Sequence, residues 1–187
     1  MNESQDISHS TCSPAPPAPG VIAELAQQTG LRDSETLHRL AALGFTGETL
    51  CLLPLLPVVQ VAWAAEGMSL PEQRYICHLA SSKRIPPDSR AFEKLLTWLA
   101  VPPTTEFFRE VMAILPVLFK VHPDSLRRLK IHELIRNCTH VAALTKEASA
   151  RPRIYQTEQQ VLEQIATTLL GSLVQPVSKA ESMIAPL

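Results

Sequence analysis

No two of the four cysteines lie close together in this sequence. Cys12, Cys51, Cys77 and Cys138 form no C-x-x-C pair, and a chain of 187 residues has no need of a disulfide scaffold, so all four read as free thiols. An excess of charge of either sign is missing too. With 17 Lys and Arg against 18 Asp and Glu, the net charge of −1 leaves no global basic field to draw the protein onto nucleic acid or an anionic membrane. Nucleic acid is therefore not expected as a partner. No stretch alternates apolar and polar residues between turn signals, so strands are not expected. Without a strand there is no place for a phosphate loop, and no serine or cysteine stands in a recognisable triad setting. The longest apolar run, LCLLPLLPVVQVAWAA over residues 50 to 65, is interrupted by Pro54, Pro57 and Gln60 before it meets Glu66. It falls short of the roughly 20 residues that a spanning helix requires. A buried core helix is the better reading, with peripheral membrane association of this run as an alternative.

The first 20 residues combine Ser, Thr, Pro and Ala with almost no large apolar side chains. They offer too little surface to offset the entropy of ordering and read as a disordered leader. They also lack the apolar stretch of a secretory signal, which points to a cytoplasmic protein. Helical periodicity fades after Gly171, so residues 173 to 187 read as a loose tail, and residues 21 to 172 as one domain with a 45% hydrophobic chain to build its core.

What the domain does contain is helix punctuation, and the expected fold is an all-α bundle of about six to eight helices. A short helix is expected over 21 to 28. A second starts at Ser34 as a cap and stops at Gly44, a natural C′ residue. Prolines predict a break near 54 to 57 in the following apolar segment. Further helices are expected from Leu70 to Lys83, from Asp88 to Val101, from Thr105 with a bend or break at Pro116, from Asp124 to about Ala148, and from about Gln156 to Leu170. Two of the helix starts echo each other. Met68-Ser69-Leu70-Pro71-Glu72-Gln73-Arg74-Tyr75-Ile76 parallels Ile154-Tyr155-Gln156-Thr157-Glu158-Gln159-Gln160-Val161-Leu162, either by chance or a shared grammar of helix starts, or as a trace of duplication.

The first of those starts carries the most suggestive residues. Val61-Ala62-Trp63-Ala64-Ala65-Glu66-Gly67, followed by Glu72 at a helix opening, resembles the VAWADG segment and acidic helix start of the TerB-like, tellurite-resistance-associated family of helical domains. The resemblance extends over about Leu50 to Leu170, although its strongly matching motif is short. It implies a compact helical domain tied to stress and tellurite-resistance systems, in some members with acidic residues suited to a divalent cation. Aligned on Trp63 and Glu72, this chain has Ala65 where the family has Asp and Glu66 where it has Gly.

Glu66 and Glu72 are the candidate metal ligands. Hard cations take six to eight oxygens, of which these two supply only a fraction. Ser69-Leu70-Pro71-Glu72 also fits the S-x-x-E capping box, with proline in the first turn where its missing N–H costs nothing, and Glu72 reads better as a cap than as a ligand. His122, His132 and His140 near Cys138 invite a zinc reading, but His132-Glu133-Leu134-Ile135-Arg136 has arginine where H-E-x-x-H needs its second ligand. Arg127, Arg128, Lys130 and Arg136 form a local basic cluster, read as a solvated helix face. Trp63, Trp98, Phe107 and Phe108 read as core anchors. The expected function is a non-enzymatic cytoplasmic interaction module acting on a protein partner, without cofactor. The alternative is a metal-binding helical protein that uses clustered Glu and His.

Overall fold

The helices begin and end where the side chains supply the chemistry for it. The computed structural model describes residues 18–64, 67–144 and 156–174. Within them the protein is all-α, with α1 (Pro19–Thr29), α2 (Ser34–Ala42), a 3-10 segment (Leu50–Leu55), α3 (Leu56–Trp63), α4 (Leu70–Ser82), α5 (Arg90–Ala100), α6 (Thr105–Lys120), α7 (Asp124–Ala143) and α8 (Gln156–Val174). The expected leader and tail lie almost wholly outside the described residues. α1 begins at Pro19, just inside the stretch read as leader, and α8 runs on to Val174.

The cap of α2 is Asp33 rather than Ser34. Its carboxylate accepts from the Thr36 N–H at 3.2 Å and from the Thr36 hydroxyl, and these bonds hold the carboxyl below its ordinary range. Ser34 is then the first helical residue. At the other end of α2, Gly44 takes a left-handed φ of 76° while its N–H reaches the Ala41 carbonyl and the Phe45 N–H reaches Leu40. That is a Schellman closure, and Gly44 meets the positive φ without a Cβ penalty. The end of α4 closes in the same way with the wrong residue for it. Arg84 adopts φ 60°, its N–H bonding Ser81 and that of Ile85 bonding Ala80.

The proline-rich run folds as its punctuation predicts. Residues Leu50–Leu55 wind as a 3-10 segment containing Pro54, and the regular helix α3 starts only at Leu56, with Pro57 in its first turn. Leu56, Pro57, Val58, Val59, Val61 and Ala62 are all buried, so α3 is covered on nearly every side. It packs chiefly against α7 and also touches α6, α8 and the 3-10 segment. Burial inside the protein accounts for the apolar run, and among the described residues no helix is long and apolar enough to cross a membrane. Of the bend or break expected at Pro116, the break does not occur. α6 continues through Pro116 as a single helix to Lys120. The proline forgoes one hydrogen bond to the Met112 carbonyl, and the apolar face formed by Phe108, Val111, Ile114, Leu115 and Phe119 holds the helix together across that gap.

The aromatic anchors gather beside α5. Trp98 packs against Phe45 and Phe107 with ring centroids 6.1 and 5.5 Å apart, and Phe107 meets Phe108 edge-on. The Lys94 ammonium lies 5.4 Å from the Phe45 ring and 5.5 Å from that of Trp98, while donating to the Gly44 carbonyl at 2.6 Å. Partial burial pushes that amine below its ordinary range. Trp63 is half-buried, and its indole N–H donates to the Trp98 carbonyl at 2.9 Å. Trp98 stands in the last turn of α5, where carbonyls have no helical partner, so this bond satisfies an orphan acceptor and ties α3 to α5.

Candidate functional site

The corner between α3 and α4 decides the role of Glu72. This residue is the third of α4 and only 2% exposed. Its Oε2 accepts from the Ser69 N–H at 2.6 Å and from the Ser69 hydroxyl at 2.6 Å, closing the capping box. The carboxylate thus serves the backbone of its own helix. Glu66, the other candidate ligand, lies outside the described residues, as does Ala65. Among the described residues no three His, Cys, Asp or Glu side chains converge as a metal site would require.

The echo noted between the two helix starts has a structural counterpart. Glu158 is the third residue of α8, as Glu72 is of α4, and it is 3% exposed. Each helix also follows one that ends in a buried Val-Ala step, Val61-Ala62 closing α3 and Val141-Ala142 closing α7. Charged residues are rarely this buried unless they are engaged, so the repetition of a buried glutamate at the same helical position carries more information than the sequence identities alone.

The histidines and cysteine of α7 are not brought together. His132 is exposed, Cys138 points into the core with its thiol pushed well above the ordinary range by burial, and His140 packs tilted against the Tyr75 ring with centroids 4.4 Å apart. The basic cluster likewise divides. Arg128 and Arg136 are exposed while Arg127 and Lys130 are half-buried. On the same stretch of helix Leu129, between the two arginines, is 65% exposed, and Leu126, two residues before Arg128, is 40% exposed. Leu129, His132 and Arg136 border a shallow open depression together with Glu133.

The deeper feature is a cleft of about 270 Å³ that sequence reasoning missed. Leu50, Leu53, Leu115, Phe119 and Leu134 supply its apolar lining. Lys83, His122, Lys130, Glu133 and Asn137 supply its polar groups. Lys83 pairs with Glu133 at 3.3 Å, which links the end of α4 to α7. The Lys130 ammonium donates to His122 Nε2 at 2.9 Å. Burial and then the Lys130 charge hold the His122 imidazole below its ordinary range, so at neutral pH it is an uncharged acceptor. The Tyr75 hydroxyl donates to Asn137 Oδ1 at 3.2 Å, and partial burial raises that phenol. An apolar cavity with a few convergent polar groups is the usual form of a small-molecule site. Its walls come from α1, the 3-10 segment, α4, α6 and α7, so no local motif announces it. Compared with known protein families, curated proteins and solved structures, the chain has no match.

Proposed function

We propose that this chain is a non-enzymatic helical interaction module of the TerB-like kind, which holds an acidic protein segment along the exposed side of α7. The observation that carries this reading is the exposure of Leu126 and Leu129 on the stretch of α7 that also exposes Arg128 and Arg136. A helix whose other face already supplies Ile131, Leu134, Cys138 and Val141 to the core gains nothing in the isolated chain from two further leucines in water. A partner helix or strand with an apolar anchor would cover them, and the flanking guanidiniums favour carboxylates around that anchor. Glu133 does not offset them fully, because it is paired with Lys83. The tie to stress and tellurite-resistance systems rests on the resemblance of Val61–Glu72.

A photo-crosslinking residue at position 129 tests the proposal in cells of the source organism, with the same residue at exposed Leu96 on α5 as control. A discrete adduct at 129, absent at 96, mapped to an acidic segment and lost in Arg128→Glu/Arg136→Glu, is the expected result. Equal labelling at both positions, or an adduct indifferent to the arginines, would overturn it.

A further inference from the structure

The cleft between α6 and α7 pairs an apolar floor with a charge that its own walls do not cancel. Lys83 is matched by Glu133. Among the described residues, Lys130 is hydrogen-bonded to His122 alone, and an uncharged imidazole returns no negative charge to it. Over the residues that line the cleft, two lysines face one carboxylate, which leaves a single positive charge beside Leu53, Leu115, Leu118 and Phe119. A bound anion could take the place of the imidazole as acceptor for Lys130. The ammonium's hydrogen bond to a neutral ring would then become one between opposite charges in a partly desolvated setting, where such bonds gain strength.

We propose that this cleft binds a small amphipathic monoanion, a hydrocarbon chain or ring bearing one carboxylate, with its body on the apolar floor and its head at Lys130. Three features set the class. The cavity volume of about 270 Å³ falls just below the range that holds drug-sized ligands, which favours a medium-chain body over a long acyl chain. The single uncancelled charge matches one negative head, and a dianion would have to disrupt the Lys83–Glu133 pair to be matched. A cationic amphiphile would meet Lys130 directly and be repelled. This inference is independent of the α7 surface proposed to hold a protein segment, since it uses neither Leu129 nor Arg136.

Titration of the full chain with octanoate, octanol and octylammonium, followed by calorimetry and by amide chemical shifts, tests it. Octanoate is expected to bind saturably at one per chain, octanol about tenfold or more weakly, and octylammonium not at all. Lys130→Met should weaken octanoate by about tenfold or more while leaving octanol unchanged, the loss expected for one charged hydrogen bond. Leu118→Trp, which fills the cavity from a half-buried position, should abolish binding of both, and a retained cooperative melt shows that the variant is folded. Leu129→Glu should leave octanoate affinity untouched, which keeps a failure here separate from a failure of the protein-partner reading. Octanoate binding no tighter than octanol, binding indifferent to Lys130→Met, or no binding by the folded wild type would each overturn the proposal.

Discussion

Truncating Glu72 to alanine should destabilise the protein more than any other change at the α3–α4 corner. Its Oε2 is the acceptor for both the backbone N–H and the hydroxyl of Ser69, each at 2.6 Å, in a position that is 2% exposed. Glu72→Ala removes that acceptor and leaves the Ser69 N–H at a helix start without its partner. Hydrogen bonds to charged groups contribute about 1.5–3 kcal/mol, and a stranded buried donor costs about 1–3 kcal/mol. With partial rehydration of the corner, a net loss of about 2–4 kcal/mol follows, or a fall in Tm of roughly 4–16 °C for a domain of this size. Glu72→Gln keeps an oxygen for both donors and loses mainly the favourable charge at the helix N-terminus, about 0.3–1 kcal/mol. Ser69→Ala keeps the backbone bond and should cost about 0.5–2 kcal/mol. Thermal melts of the three variants should therefore rank alanine at 72 worst and glutamine at 72 mildest, with calcium and magnesium leaving every midpoint unmoved. A loss below about 0.5 kcal/mol for Glu72→Ala would refute the capping argument. A cation-dependent rise in Tm that disappears in Glu72→Gln and survives in Ser69→Ala would show that a metal ligand had been mistaken for a cap.

Arg84→Gly should stabilise the fold by about 0.5–1 kcal/mol in urea denaturation, because the left-handed φ of 60° penalises arginine by more than glycine adds to the entropy of the unfolded chain. Trp63→Phe should cost about 1–3 kcal/mol by the same assay, since it strands the Trp98 carbonyl at the end of α5. Stability should fall as pH rises above 9. The Cys138 thiol has a folded pKa raised above the ordinary value of 9.0, so the unfolded chain releases its proton first and is favoured there. Cys138→Ala should flatten that alkaline slope in pH-dependent melts but not remove it, because burial also raises Cys51, Cys77 and Tyr75.

Helix boundaries were legible because they are written in local chemistry. Gly44 read as a C′ residue is one, and the break ahead of Leu56 follows from Pro54 and Pro57. The misreadings occur where local signals compete or are overridden. Asp33 and Ser34 are both good caps, and Asp33 takes the role because its carboxylate reaches two donors of Thr36 at once. Pro116 would break an isolated helix, but the packed apolar face of α6 outweighs one missing hydrogen bond. The capping role of Glu72 was readable from S-x-x-E, since both partners are three residues apart. The cleft was not readable at all. His122 and Lys130 lie eight residues apart across a helix start, Lys83 and Glu133 fifty apart, and no periodicity relates them.

Lining up the two helix pairs by their echo shows where the unusual surfaces fall. Setting Val61-Ala62 of α3 against Val141-Ala142 of α7, the first residue of α3, Leu56, corresponds to Arg136. α3 is 8 residues long and α7 is 20, so Asp124 to Ile135 of α7 has no α-helical counterpart and lines up with residues 44 to 55, of which Leu50–Leu55 is the 3-10 segment. Leu126, Leu129, Lys130, Glu133 and Leu134 all fall within that surplus. The cleft forms there because the surplus turns of α7 face the 3-10 segment, whose Leu50, Leu53 and Pro54 line the opposite wall. The exposed leucines lie there because no second helix pair covers those turns among the described residues. The surplus turns of α7 contribute Leu126, Arg128 and Leu129 to the proposed protein-binding surface and Lys130, Glu133 and Leu134 to the cleft.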